Sequence, residues 1–206
     1  HDHVVAVRAT PPRVMPGERA KIDALLAHAD RPTTVEAPAA AISQAPEGDP
    51  LANLVAYSGD GWYLTAPSEE VLAAVRARDG LAAGAPVPVR VAMAFQQGEQ
   101  VLYAKKTVYL GARAENPAVP IMAVDGQPAA DQLVVPMERD IYVSVPVDDT
   151  TRVNWLTSCG SLFQDDVATA FLRVLPEDDH AGELAVVVRD ANGGVAWRVW
   201  PIAAQR

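Results

Sequence analysis

Apolar and polar residues alternate along most of this chain, which is the period of a β-strand with one buried face. The clearest case is VPVRVAMAF (87–95), followed by a turn at 96–99 and by VLYAKKTVYL (101–110), which alternates back. Two long alternating runs around a glycine-containing turn predict a β-hairpin. A similar pair of runs, from Leu184 to Ile202, lies around Asn192-Gly193-Gly194. Each half of the chain is therefore predicted to close on a long hairpin.

The chain opens on another alternating run, in which Val5, Val7 and Ala9 share one side, and this run stops at Pro11-Pro12. Proline has no N–H to donate to a neighbouring strand. The first strand is therefore predicted to lie at a sheet edge or to switch sheets at the prolines. Residues 29–50 are rich in proline and are predicted to form a long loop with at most a short strand.

One helix is predicted, near residues 68–79. Ser68 can cap its first turn, the two glutamates that follow suit a helix N-terminus, and Gly80 follows its end. Just before the helix, Ser58-Gly59-Asp60-Gly61 has turn composition and separates two strand-like runs. This pattern predicts a further hairpin in the first half of the chain.

The spacing of the strands indicates the fold. After Asn116-Pro117, short apolar runs recur roughly every 8 to 12 residues between Gly, Asp, Asn and Pro, as is typical of a β-sandwich. A length of 206 residues suits two domains of about 100 residues each. The predicted fold is all-β, with two tandem immunoglobulin-like β-sandwiches at 1–115 and 116–206 and one short helix in the first.

Composition limits the classes of partner. The net charge of −9 comes from 26 acidic and 17 basic residues, and the only lysines are Lys21, Lys105 and Lys106. A protein that binds duplex nucleic acid needs a basic face, so this charge argues against nucleic acid and against adsorption to anionic lipid. No apolar run approaches the roughly 18 residues that span a bilayer.

Two stretches carry a resemblance to a known family. The opening ATPPRVMPGERAKIDAL (9–25) resembles the first strands of bacterial immunoglobulin-like domains, and VRDANGGVAWRVWPI (188–202) resembles their closing hairpin. The whole chain is similar to two-domain envelope lipoproteins of myxobacteria and related high-GC Gram-negative bacteria. The resemblance implies a mature, exported protein in the periplasm or at the outer-membrane surface, which meets a membrane only through a lipid anchor before residue 1. It implies no cofactor and no catalytic residue.

Cys159 is the obvious candidate nucleophile, because it is the only cysteine and lies in VNWLTSCGSLFQDD (153–166). A reactive thiolate needs a nearby base, and His180 in the same predicted domain is the available partner. Val153 and Trp155, however, alternate as a core strand should, and a sandwich of this class buries a tryptophan there. Free cysteine is also among the most buried residue types. The favoured interpretation is a structural Cys159.

The first residues, His1-Asp2-His3, form a candidate metal site. If His1 is the native N-terminus, its amine and imidazole together with His3 can chelate copper, since imidazole nitrogen suits that metal. A solvated tail is the favoured interpretation, because chain termini are usually disordered. Acidic pairs such as Asp165-Asp166 lack the spacing of a calcium loop and are interpreted as solvated loop charge.

Three aromatic residues flank the glycine turn at 58–61. Tyr57, Trp62 and Tyr63 are candidate binding residues, because exposed aromatics there can stack on sugars or anchor a partner. Packing into the core is an equally good interpretation, because residues alternate inward and outward along a hairpin.

The sequence thus favours a non-catalytic, exported envelope protein that binds or scaffolds a protein partner. The reasons are the absence of an assembled catalytic signature and a fold that commonly serves as a rigid display module. The alternative is a copper-binding periplasmic protein or a cysteine-dependent enzyme. A further possibility is a subunit of a larger assembly, in which exposed strand edges pair with neighbours.

Overall fold

The computed structural model describes residues 2–29 and 33–206. The chain forms two compact units: His1–Asn116 with Asn192–Val195, and Pro117–Ala191 with Ala196–Arg206. Each unit is built from two β-sheets around its own hydrophobic core. The fold is all-β, with two tandem immunoglobulin-like sandwiches and one short helix in the first, as the sequence predicts.

The first unit divides its strands between two sheets, of order β1-β3-β7-β6, with β4 also paired to β3, and β2-β9-β8-β5. Its elements are β1 (His3–Thr10), β2 (Arg13–Val14), β3 (Arg19–Ala27), β4 (Thr34–Glu36), β5 (Ala40–Ser43), β6 (Val55–Tyr57), β7 (Trp62–Thr65), α1 (Glu69–Arg78), β8 (Val87–Gln97) and β9 (Gln100–Leu110). The predicted hairpins at 87–110 and around 58–61 are therefore confirmed.

The chain changes sheets at the two prolines. Strand β1 pairs antiparallel with β3 at the edge of the first sheet. After Pro11 and Pro12, β2 pairs parallel with β9 in the second sheet. The prolines interrupt the hydrogen-bond ladder of the first sheet and let the chain cross to the other side of the core. Both alternatives of the prediction, an edge position and a sheet switch, are observed together.

Helix α1 begins where the sequence predicts. The Ser68 hydroxyl accepts a hydrogen bond from the Val71 N–H at 3.4 Å, and the Leu72 and Val75 side chains are buried. The Arg76 guanidinium is buried too, and it donates to the Ala85 carbonyl at 2.7 Å and to the Glu69 carboxylate at 2.5 Å. None of the described helical segments has the length and apolar character to cross a membrane.

The second unit repeats the strand order of the first. Its sheets have the orders β11-β10-β13-β16-β15 and β12-β18-β17-β14. Its strands are β10 (Ala123–Val124), β11 (Gln127–Pro128), β12 (Leu133–Pro136), β13 (Ile141–Ser144), β14 (Arg152–Thr157), β15 (Ser161–Phe163), β16 (Thr169–Arg173), β17 (Ala181–Arg189) and β18 (Val195–Gln205). Trp155 and Trp200 are buried between the sheets, and β12 pairs parallel with β18 just as β2 pairs with β9.

Candidate functional site

Two of the three aromatic residues singled out in the sequence lie together at the edge of the first unit. Tyr57 and Trp62 are opposite each other on β6 and β7, and their rings meet edge to face with centroids 5.7 Å apart. Trp62 packs against the core and donates its Nε1–H to the Pro38 carbonyl at 2.8 Å. Tyr57 stays 60% exposed. Trp62 is therefore largely a packing residue, and only Tyr57 offers a free ring surface.

Tyr63 points to the other side of the sheet, because successive residues of a strand alternate between faces. The Arg19 guanidinium lies 4.1 Å from the centroid of its ring, and its hydroxyl donates to the Asp60 carboxylate at 2.9 Å. Hydrogen bonds from Lys21, first, and from Tyr63 hold the pKa of Asp60 below its usual range. Since this ring is already engaged, the three aromatics do not form one surface.

The histidines assemble no metal site among residues 2–29 and 33–206, where no group of three or more His, Cys, Asp or Glu side chains is placed to hold an ion. His1 lies outside the described residues, so the copper hypothesis for His1 and His3 stays a prediction. His28 has a fully buried side chain whose Nε2 lies 3.1 Å from Thr34 Oγ1 and 3.4 Å from Glu36 Oε1. Its imidazole joins β3 to β4.

Cys159 is buried, as the structural interpretation requires. Its thiol donates to the Asp179 carbonyl at 2.9 Å. Burial, followed by the negative charges of Asp178 and Asp179, raises the pKa of the thiol. His180 instead places its Nε2 3.0 Å from the Pro176 carbonyl. A protonated, enclosed thiol is the reverse of an activated nucleophile.

A labelling experiment tests this assignment of Cys159. The thiol of the native chain should react with a bulky disulfide reagent at least about a thousandfold more slowly than that of the urea-unfolded chain, because reaction requires opening of the second unit. The readout is absorbance of the released chromophore against time. The unfolded chain supplies the accessible reference. Rapid native-state labelling with a depressed pKa would contradict the structural role.

The most exposed apolar surface of the first unit lies on the outer face of the sheet formed by β5, β8 and β9. Tyr103 on β9 is 79% exposed and Ile42 on β5 is 63% exposed. Between them, the central strand β8 presents only Ala92 and Ala94, and Ala94 lies directly opposite Tyr103. We call this surface the Tyr103 face. The two methyl groups leave a shallow trough between a tyrosine ring and an isoleucine.

The Tyr103 face carries positive charge. Lys105 lies opposite Ala92, and Arg90 precedes Ala92 by two residues on the same side of β8. In the described part of the chain, neither of these side chains has an ion-pair partner. Two cations without partners on a chain of net charge −9 set this face apart from the rest of the surface.

A cavity of about 470 Å³ adjoins the face at Arg90. Its walls include Gln44, Pro46, Arg78, Arg90, Thr107 and Tyr109. The Arg78 guanidinium donates to Asp49 at 2.6 Å and to Asp79 at 2.7 Å, so its charge is balanced locally. Arg90 therefore supplies the positive charge that this end of the face presents to solvent.

Sequence reasoning missed the Tyr103 face although part of the signal was present. The alternation in VLYAKKTVYL puts Tyr103 and Lys105 on one side, opposite to the buried Val108 and Leu110. The neighbouring strand β5 lies in the proline-rich stretch that the sequence predicts as a long loop with at most a short strand. Without β5 and its Ile42, Tyr103 is interpreted as a single exposed aromatic residue and not as one side of a trough.

Comparison with known proteins adds little. No family model and no curated protein matches the chain. Among solved structures, murine CEACAM1b shows 12% identity over 100% of both chains with a TM-score of 0.33. The Ig1-2 module of the Drosophila receptor protein tyrosine phosphatase DLAR shows 10% identity over 100% of this chain and 99% of that one, with a TM-score of 0.34.

A third solved structure is similar over a shorter stretch. A nucleoside hydrolase-related hypothetical protein from Saccharophagus degradans shows 14% identity over 45% of this chain with a TM-score of 0.34, and the match covers 26% of its own length. At these identities and scores, the likenesses carry no argument about function. The class of protein is defined by the strand order itself, a pair of immunoglobulin-like sandwiches.

Proposed function

We propose that this chain is a non-catalytic module of the cell envelope that binds or scaffolds a protein partner through the Tyr103 face. The observation that carries the proposal is the pairing of Tyr103, 79% exposed, with Ile42, 63% exposed, across a floor of alanines. Contiguous apolar surface of this kind on a folded domain marks an interaction site. Tyrosine is moreover one of the residue types that dominate binding energy at interfaces.

The face is rigid before it binds. Strands β8 and β9 pair along their full length, from Val87 opposite Leu110 to Gln97 opposite Gln100. The alternate side chains of β8 that point inward, from Val87 to Phe95, are buried in the core. Binding on such a surface costs little ordering of the backbone, so more of the contact energy remains as affinity.

The charges indicate the partner's chemistry. Arg90 and Lys105 lie beside the apolar trough without ion-pair partners in the described chain. A partner with an apolar centre and carboxylates at its rim would complement them. Rim charges of this kind act mainly on the association rate and make it sensitive to salt.

The location of the protein belongs to the proposal as well. We place it in the periplasm or at the outer-membrane surface, held by a lipid before residue 1, on the strength of the resemblance of 9–25 and 188–202 to bacterial envelope domains. Intact mass spectrometry of protein purified from its native membrane tests this placement. A native chain that carries no acyl group and fractionates with the cytoplasm would contradict it.

Site-specific photo-crosslinking tests the binding role. A benzoylphenylalanine introduced at position 103 should give a discrete protein adduct in cells that express the chain, because the ring projects from the centre of the face. The matched control is position 35, where Val35 is a similarly exposed residue on β4 in the other sheet. Lys105→Gln should reduce the yield at 103, at least about twofold, and make it less sensitive to salt.

Two outcomes would remove the proposal. One is that crosslinking from position 103 gives the same adducts as crosslinking from the control position 35, since binding at the face would then not be specific. The other is turnover of a small substrate that survives in Cys159→Ser and is lost in Tyr103→Ser, since that would make the face a catalytic surface.

A further inference from the structure

The second unit has an exposed aromatic surface of its own. Tyr142 on β13, Phe171 on β16 and Phe163 on β15 lie directly opposite one another in neighbouring strands. They form a single row across the outer face of that sheet, in which Tyr142 is 51% and Phe163 is 53% exposed. We call this surface the Phe171 row. Rings placed in register on three strands are a large apolar surface without a partner in the described part of this unit.

The geometry of the row favours a protein surface over a flat ligand. The Tyr142 and Phe171 rings have centroids 4.6 Å apart and an interplanar angle of 61°. Rings tilted against each other do not offer the coplanar platform on which a sugar ring stacks. Tilted rings do form ridges that interdigitate with side chains of an opposing sheet, as the layers of a β-sandwich do at a spacing of about 10 Å.

The surroundings of the row are acidic. Asp165 and Asp166 follow Phe163 by two and three residues and are exposed, and they have no ion-pair partner among the described side chains. Residues 117–206 hold 13 of the 26 acidic residues but only six of the 17 basic ones. Most of the net negative charge of the chain therefore belongs to the unit that carries the row.

The Tyr103 face and the Phe171 row are complementary in two respects. The face has small residues, Ala92 and Ala94, on its middle strand, whereas the row has an aromatic residue on each of its three strands, of which Phe171 is the least exposed. The row runs across its strands and the trough runs along β8, so the row fills the trough when the strands of the two copies cross at a large angle, and large residues then lie over small ones. The cations of the face are also opposite in sign to the carboxylates beside the row, so the two surfaces attract each other.

From this complementarity we infer that the partner of the Tyr103 face is the Phe171 row of a second copy of this chain. The inference rests on the proposed function and names the occupant of the same face. The contact is heterologous, since it joins different surfaces of the two copies, so in a pair one copy keeps its row free and the other keeps its face free. Such a contact repeats from copy to copy unless its rotation closes a ring.

The contact is weak because it is small. Three strands about 4.8 Å apart give faces of a few hundred Å² per copy, which is below the usual size of a stable interface. We expect a dissociation constant on the order of 10–100 µM. On a membrane surface, two-dimensional confinement of anchored copies raises their effective concentration and favours the same contact.

Sedimentation velocity of the full chain tests the inference. The weight-average sedimentation coefficient should rise between about 5 µM and about 500 µM, a range that brackets the expected dissociation constant. Tyr103→Ser and Phe163→Ser should each weaken association at least about tenfold. Val35→Ser and Val134→Ser are the matched controls, since both residues are similarly exposed valines on other surfaces, and they should behave as the wild type does.

Mixing the two defective variants makes the test specific. Tyr103→Ser keeps an intact row and Phe163→Ser keeps an intact face, so a mixture should form one-to-one dimers that grow no further. A charge swap provides a second measurement. The Lys105→Glu variant and the Asp166→Lys variant should each be monomeric alone, because like charges then meet across the contact. A mixture of the two variants should associate, because the opposite charges are restored. A wild type that remains monomeric, or a mixture of Tyr103→Ser and Phe163→Ser that does not pair, would overturn the inference.

The failure of this inference differs from failure of the proposed function. If the chain stays monomeric while position 103 still crosslinks to another protein, only the second-copy partner is removed. If a soluble polysaccharide binds the wild type and not Phe163→Ser, the row is a sugar surface and the inference is overturned. If position 103 gives no specific adduct at all, the proposed function and the second-copy partner are both contradicted.

Discussion

Replacement of Trp155 by alanine should lower the free energy of unfolding of the second unit by about 4 kcal/mol, a large part of the stability of a domain this size. The indole is buried in the second core, and its Nε1–H donates to the Val167 carbonyl at 2.9 Å. The alanine variant leaves a cavity between the sheets and the Val167 carbonyl without its donor. Both losses add to the lost burial of the ring.

Urea unfolding followed by far-UV circular dichroism measures this change. Trp155→Phe retains most of the volume and loses the hydrogen bond, so it should cost about 2 kcal/mol and separate the two contributions. Val134→Ala is the surface control, because Val134 is exposed, and it should stay within about 0.5 kcal/mol of the wild type. An alanine variant of Trp155 that unfolds at the wild-type urea midpoint would show that the indole is not part of the core.

Replacement of Gly160 by alanine should destabilise the second unit by about 3 kcal/mol or more. Gly160 has a φ of +77°, and an added Cβ would lie against the Arg173 carbonyl oxygen and 2.9 Å from Val174 Cγ2. A backbone carbonyl in a strand cannot move aside as a flexible side chain can. The turn after Cys159 therefore requires glycine for its backbone angle and for the space that β16 occupies.

Gly126 provides the matched control for Gly160. Its φ of +80° is nearly the same, and an added Cβ there would meet no atom within 4 Å. Gly126→Ala should therefore cost only the backbone term, about 1 kcal/mol. The difference between the two variants in urea unfolding isolates the steric clash. Equal losses of unfolding free energy at both positions would mean that the backbone of β16 at Arg173 moves to make room for the added methyl group.

Local patterns were sufficient to predict much of this fold. The alternation of 87–110 predicted the hairpin of β8 and β9, in which each inward residue of one strand lies opposite an inward residue of the other. The prolines at 11 and 12 predicted an edge strand or a sheet switch, because a missing N–H is a property of the residue itself. Trp155 was predicted to be buried from its strand alone, and it is.

Features that depend on distant partners were not predicted. Strand β5 lies in the stretch predicted as a long loop with at most a short strand, and nothing local indicated that its four residues pair with β8, about fifty residues along the chain. Tyr57, Trp62 and Tyr63 lie close together in the sequence, but Tyr63 is on the opposite face of the sheet from the other two, because successive residues of a strand alternate between faces. The Tyr103 face is formed by three strands that are distant in sequence, so its residues could not be recognised from the pattern of any single strand.

The parallel pairing of β12 with β18 has a mechanical consequence. Leu133–Pro136 lie beside Ile202–Gln205, near the two ends of the second unit. Tension applied at those ends pulls two parallel neighbours in opposite directions, so it loads their hydrogen bonds all at once in shear. An antiparallel hairpin pulled from its open end would instead release its bonds one at a time. The parallel contact of β12 with the last strand thus makes this part of the unit resist stretching along the chain.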